Sequence, residues 1–224
     1  MNKQSIQYQF VNLPALAFIA TAVYTASNIF ANVLSVKMMA LPFAYPFNEV
    51  DAGTIIFPLA FIVRDMLHKN AGRKLASYVV LSVAGINVVM VLLFSLVTLL
   101  PPAPRWADSG AQEAFAMIFA PAGRIALASI VAQVISGLFN TYIFSKIIRS
   151  NPNKRDILAS LISNALSIVL DTVIFALVAF ASPQVPMAEI VSIIMVNILF
   201  KAAVALVGSP LVRLINVQVD PAML

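Results

Sequence analysis

From Leu75 to Leu100 the chain is almost wholly apolar, with little beyond Ser77, Tyr78, Ser82, Asn87 and Ser95 to interrupt it. A stretch of that length and character suits a helix that crosses a bilayer and satisfies its own backbone there. Five more runs follow the same rule: Leu13 to about Val36, Ile55 to about Leu67, Ala122 to Ile148, Ile157 to Ala181, and Met187 to about Val207. The second is short, about 20 Å at 1.5 Å per residue, so it spans only with help from its flanks or where the bilayer is thinned or a cavity is lined. With 61% hydrophobic and 10% charged residues and a mean hydropathy of +0.95, no soluble domain is left over. The expectation is an all-α polytopic membrane protein, one domain over residues 1–224 with six transmembrane helices and the lipid bilayer as its first partner.

The breaks between runs carry the punctuation that ends helices. Met1 to Asn12 is polar with no apolar core, which is not the pattern of a signal peptide. Lys37 to Thr54, with Pro42, Pro46, Glu49, Asp51 and Gly53, is too polar to span and reads as an irregular or partly re-entrant connection. Pro101 to Pro104 breaks the third helix, Trp106 reads as an interfacial anchor, and Asp108 to Phe119 is expected along the interface. Arg149 to Arg155 joins the fourth and fifth spans, and Ser182 to Pro186 closes the fifth.

Basic residues orient the zigzag. Lys3, Arg64, Lys69, Arg73, Lys74, Lys146, Arg149, Lys154, Arg155 and Arg213 fall on one side, against Lys37, Arg105 and Arg124 on the other. Positive-inside topology therefore places both termini in the cytoplasm and explains the net charge of +5 better than nucleic-acid binding does. His68, at the same end of the short span, reads as a surface residue. The absence of cysteine excludes disulfides and thiolate ligands.

One helix is written twice. Arg124-Ile-Ala-Leu-Ala-Ser129 aligns with Arg155-Asp-Ile-Leu-Ala-Ser160; at the same offset Gln133 matches Asn164, Ser136 matches Ser167, Asn140 matches Asp171, and Thr141 to Phe144 matches Thr172 to Phe175. In each copy the polar residues are spaced four, three and four apart, which puts them on one helical face. Consecutive spans run in opposite directions, so the copies form an inverted pair, a plan that brings polar residues together near the midplane of transporters. Shared small and amide residues also glue ordinary membrane helices, but an intramembrane aspartate points to function. On the first span Asn28, Asn32 and Ser35 share a face, and Lys201 stands in the last span with Asn197. Asp171 and Lys201 lie about 15 and 21 Å below the outer ends of their helices, so one turn of tilt or kink would let them meet, either as a structural ion pair or at a ligand. The chain carries no phosphate-binding loop, no H-E-x-x-H and no G-x-S-x-G, so it is not its own ATPase, and neither metal nor cofactor is expected.

These residues also carry a resemblance. The run Gly53-Thr-Ile-Ile-Phe57-Pro58-Leu59 leading to Asp65 and Gly72, the helix of Arg124 and Ser129, the pattern Ser167-x-x-x-Asp171-Thr172-x-x-Phe175, and Lys201 with Pro210 resemble the vitamin uptake transporter family, now described as queuosine precursor transporters. The resemblance runs roughly from Asn28 to Pro210. It implies a bacterial inner-membrane importer, not an enzyme, of 7-deazaguanine bases (preQ0, preQ1 or queuine) that serve a modified tRNA base. The chain departs from the family pattern at Lys69, where a glutamate is usual, at Ala71, where an aromatic is usual, and at Asn140, where an acid is frequent.

Such a base is planar and offers an N–H beside an amino group, a donor pair that one carboxylate accepts together. Asp171 suits that pair. Asn140, Gln133 and Asn164 can serve the carbonyl and the remaining N–H groups, Phe57, Phe144 or Phe175 can cover the ring, and Lys201, Ser167 and Asn28 complete the candidate set. Two other classes are compatible with the chain: a substrate-binding subunit energised by a separate ATPase module, with Ala22-x-x-x-Ala26 as a close-packing face, and a membrane hydrolase with a serine activated by Lys201. A homo-oligomer is compatible with the sequence, which specifies no stoichiometry.

Overall fold

The structure is a computed structural model that describes residues 15–40, 49–119, 122–149 and 155–214. The polar leader Met1 to Asn12, Pro42 and Pro46 of the first connection, and residues 150–154 lie outside the described residues. Helix α1 (Ala15–Leu34) leads to a small antiparallel pair, β1 (Met38–Ala40) and β2 (Glu49–Asp51), in which Met39 faces Val50. A 3-10 turn (Ala52–Ile55) then opens α2 (Phe57–Leu99). Two short helices follow, α3 (Pro104–Asp108) and α4 (Ala111–Phe119), and then the long helices α5 (Ala122–Ile148), α6 (Asp156–Phe180) and α7 (Met187–Gly208), the last closed by a 3-10 turn over Ser209–Leu214. The chain is an all-α polytopic membrane protein, with five helical elements long and apolar enough to cross a bilayer.

One of those elements crosses twice. As a straight rod the 43 residues of α2 would reach about 65 Å, double a hydrocarbon core of about 30 Å. At Gly72 the backbone leaves the helical region (φ 83°, ψ 169°), a conformation open to glycine because it has no Cβ. Arg64 and Val80 would stand about 24 Å apart along a straight helix. Instead, a Cβ placed on Gly137 would lie 3.4 Å from Arg64 Nη1 and 3.0 Å from Val80 Cγ1. Residues 57–71 and 73–99 are therefore two antiparallel arms folded against α5, and with α1, α5, α6 and α7 they make six crossings. The first arm ends later than the Leu67 expected from sequence: Leu67, His68, Lys69 and Asn70 are all buried. This overturns the surface reading of His68, whose ring lies 4.9 Å from that of Phe144 inside the bundle.

The polarity of the fold is that of a membrane protein. Leu92, Leu93, Leu96, Leu199, Leu206 and Val207 are exposed along the spans, whereas Asn28, Arg64, Asp65, Asn87, Gln133, Asn164, Asp171 and Lys201 are buried. Small residues make the close approaches: Ala17, Ala20 and Ala60 pack with Tyr24, Leu67 and Val80 between α1 and the arms of α2. Helices α5 and α6 pack together along their length. Their cross-pairs, Ser136 with Asp171 and Asn140 with Asn164, advance on one helix as they retreat on the other, the register of an inverted pair.

The two ends differ in charge. At one, the basic end, the Gly72 turn, the start of α6 and the end of α7 meet, and Lys69 Nζ lies 2.7 Å from Asp156 Oδ2 and 3.2 Å from the carbonyl of Val212. At the other, the hairpin end, Arg124 donates to the carbonyls of Val178 and Ala181, and α3 and α4 present Trp106 to the surroundings.

Candidate functional site

The first connection does not stay outside the bundle. Asp51 ends β2 and caps the turn after it: Oδ1 accepts from the Thr54 amide at 3.1 Å and from Ser35 Oγ at 2.8 Å, and Oδ2 lies 2.8 Å from Thr54 Oγ1. Thr54 Oγ1 also lies 2.6 Å from Asn197 Oδ1, tying the turn to α7. Gly53 is packed so tightly on α1 that a Cβ there would collide with Ser35 Oγ and the carbonyl of Ala31. Irregular backbone at membrane depth persists only where protein surrounds it, and Ala52, Gly53 and Thr54 are all buried.

Beneath this turn lies a polar cleft lined by Asn32, Asp51, Thr54, Phe57, Ser129, Asp171, Phe175 and Lys201, among others. Lys201 Nζ is 3.2 Å from Asp171 Oδ2, 3.4 Å from Thr172 Oγ1 and 4.8 Å from the centroid of the Phe57 ring. No kink brings the pair together. Side chains on a helix lean toward its N-terminus, so Lys201 on α7 reaches toward the hairpin end while Asp171 on antiparallel α6 leans the other way, which closes the gap in depth. Ser136 Oγ donates to Asp171 Oδ1 at 3.2 Å. Each carboxylate oxygen thus keeps a lone-pair direction for another donor. The hydroxyl within reach of Lys201 Nζ is that of a threonine, Thr172, and not of a serine.

A second polar chamber adjoins the first, lined by Tyr24, Asn28, Phe57, Ala60, Phe61, Arg64, Gln133 and Ser136. Phe57 borders both spaces, and Ser136 lines the second while bonding the acid of the first. Including space open to the surroundings, the two enclose about 310 and 190 Å³, but the room for a water-sized group is only about 20 and 10 Å³. As the bundle stands, neither space has room for a ligand the size of a nucleobase.

The candidate residues therefore separate into three groups. Asp171, Lys201 and Phe57 share the cleft, and Asn28 and Gln133 line the adjoining chamber. Asn140 and Asn164 belong elsewhere: Asn140 Nδ2 donates to Asn164 Oδ1 at 2.7 Å, and Asn164 Nδ2 donates to Asp65 Oδ2 at 2.9 Å, where Ser160 Oγ also donates at 2.6 Å. This inner cluster sits toward the basic end. Ser167 is fully buried, its hydroxyl has no partner among the described residues, and it lines neither space. The split follows from inversion itself, since positions that match in the two copies lie at opposite depths. Ser129 bonds Asn32 near the hairpin end, while its counterpart Ser160 bonds Asp65 near the basic end.

Several residues went unrecognised as part of the site. Asp51 looked like a loop acid, although an acid three residues before Thr54 is a capping signal. Arg64 was counted with the cytoplasmic cations, yet it is 2% exposed, its guanidinium 4.9 Å from the Phe61 ring centroid.

A bundle of spans that buries a charged pair beside an aromatic-walled cleft follows a plan common among membrane transporters. Residues 51–215 match the family described as "Putative vitamin uptake transporter", and the chain belongs to that family. No curated protein and no solved structure matches the chain.

Proposed function

We propose that the chain imports a 7-deazaguanine precursor of queuosine, with Asp171 as the residue that recognises the base. The observation that carries this reading is the Asp171 carboxylate, fixed by Ser136 and Lys201, with lone pairs to spare in a cleft walled by Phe57 and Phe175. One carboxylate accepts the ring N–H and the adjacent amino group together, and aromatic walls suit a planar ring. Because the cleft as it stands has no room for the base, the helices around it part to admit it, which is the behaviour of an alternating-access carrier. The basic end, with Lys69, Arg73, Lys74, Arg149, Arg155 and Arg213, is cytoplasmic on the positive-inside rule; the cleft then lies toward the outer face of the inner membrane, and both termini are inside.

The direct test is rescue. In a bacterial strain that needs an external precursor and lacks its own transporter, expression of this chain should restore queuosine in tRNA. Asp171→Asn should abolish the rescue while leaving the amount of protein in the membrane unchanged. Absence of rescue with well-expressed native protein would refute the assignment.

A further inference from the structure

Arg64 is buried in the middle of the bundle, and its Nε and Nη2 atoms find no hydrogen-bond partner of good geometry among the described residues, although the Tyr24 hydroxyl stands beside it and Gln133 in the same chamber. Nor does Nε2 of Gln133, whose Oε1 is held by Asn87 Nδ2 at 3.1 Å. Both residues line the chamber beside the Asp171 cleft. An unpartnered buried donor is costly, and more so when charged, so donors of this kind clustered at one cavity are poised for an acceptor that arrives from outside. Among the described residues no carboxylate forms an ion pair with the Arg64 guanidinium, although the neighbouring Asp65 acts on it electrostatically. The chamber is thus rich in donors and positive, whereas the cleft presents the acceptor oxygens of Asp171.

We propose that Arg64, assisted by Gln133, is a second recognition point that reads the carbonyl edge of the ligand and the substituent beside it. The inference rests on the reading of Asp171 as the base-binding acid and deepens it. A guanidinium fork reads guanine through two neighbouring acceptors, the 6-carbonyl oxygen and ring nitrogen 7. In a 7-deazaguanine that nitrogen is carbon, so the second acceptor must come from the substituent at position 7. A cyano group supplies one and is neutral. An aminomethyl group supplies none at neutral pH and is a cation, which would face Arg64 directly. The two edges of the base are adjacent, as the two spaces are adjacent at Ser136, so one molecule can present its donor pair to Asp171 and its carbonyl edge to Arg64. The site accordingly selects the 7-cyano base over the 7-aminomethyl base.

The test is competition, with radiolabelled 7-cyano-7-deazaguanine displaced from the full-length protein in proteoliposomes by each unlabelled base. The native protein should favour the cyano base by about tenfold or more, since a like-charge contact in a desolvated site is costly. Arg64→Gln removes the charge and should improve competition by the aminomethyl base, a gain that misfolding cannot imitate. Arg64→Lys keeps the charge without the fork, and should weaken the cyano base while still rejecting the aminomethyl base. If Arg64→Gln does not fold, Gln133→Glu places a counter-charge in the same chamber and should shift the preference the same way. A ratio unchanged in the folded variants overturns the role of Arg64 alone. Binding of neither base by the native protein overturns the reading of Asp171 and this inference with it.

Discussion

The polar residues at the two depths of the bundle are of the same kinds but do different work. Toward the hairpin end, Asp171, Lys201, Asp51 and Asn32 surround a cleft, and the Asp171 carboxylate keeps unused acceptor directions. Toward the basic end, Asp65, Ser160, Asn164 and Asn140 bond one another, although Asp65 Oδ1 and Asn140 Oδ1 find no partner among the described residues, and Lys69 is locked to Asp156 with both side chains buried. On the proposed reading one region is the binding site, and the other is a clamp that joins the first arm of α2 to α5, α6 and the end of α7. An acid in a membrane helix therefore does not by itself mark a ligand; the space left beside it does.

That contrast can be broken most severely at the clamp. Lys69→Met removes one member of a buried pair and leaves Asp156 with the largely exposed Arg213 at 3.5 Å. Breaking such a pair typically costs about 3–5 kcal/mol, so the melting temperature of the purified protein should fall sharply, and the added change Asp156→Asn should recover much of the loss. A melting curve unmoved by Lys69→Met would show that the basic end is not a structural clamp.

A smaller effect is expected at Asn140. Its amide holds Asn164 in the inner cluster, so Asn140→Ala should cost about 1–3 kcal/mol of stability but leave the affinity of the assembled cleft for the base within about twofold. A large affinity loss at unchanged stability would return Asn140 to the site and merge the two regions.

Much of this organisation was legible in the sequence. The helix bounds of α5 are those read from hydropathy, the shortness of the second span is real, and the inverted repeat is present in the register of α5 against α6. The division of the polar stripes between two depths was not legible, because an alignment of repeats states equivalence while inversion sets position. Asn140 matches Asp171 in the alignment and lies near the opposite end of the bundle for that reason. Arg64 and His68 were misplaced because a basic residue shortly before a charged loop has the pattern of a flank, and only the turn at Gly72 shows that the arm continues past them. Family departures become physical at Lys69, which finds its counter-charge in Asp156.

The central claim is that Asp171 serves the ligand rather than only neutralising Lys201, and affinity for the base in Asp171→Asn, Lys201→Met and the double variant tests it most directly. Replacing one acceptor oxygen with a donor facing the ligand's own donors should cost about 1–3 kcal/mol, roughly ten- to a hundredfold in affinity. The double variant has lost both charges, so its stability should recover relative to Lys201→Met alone. Its affinity should remain as poor as that of Asp171→Asn. Recovery of affinity in the double variant would contradict the account and leave Asp171 a partner for Lys201 and nothing more.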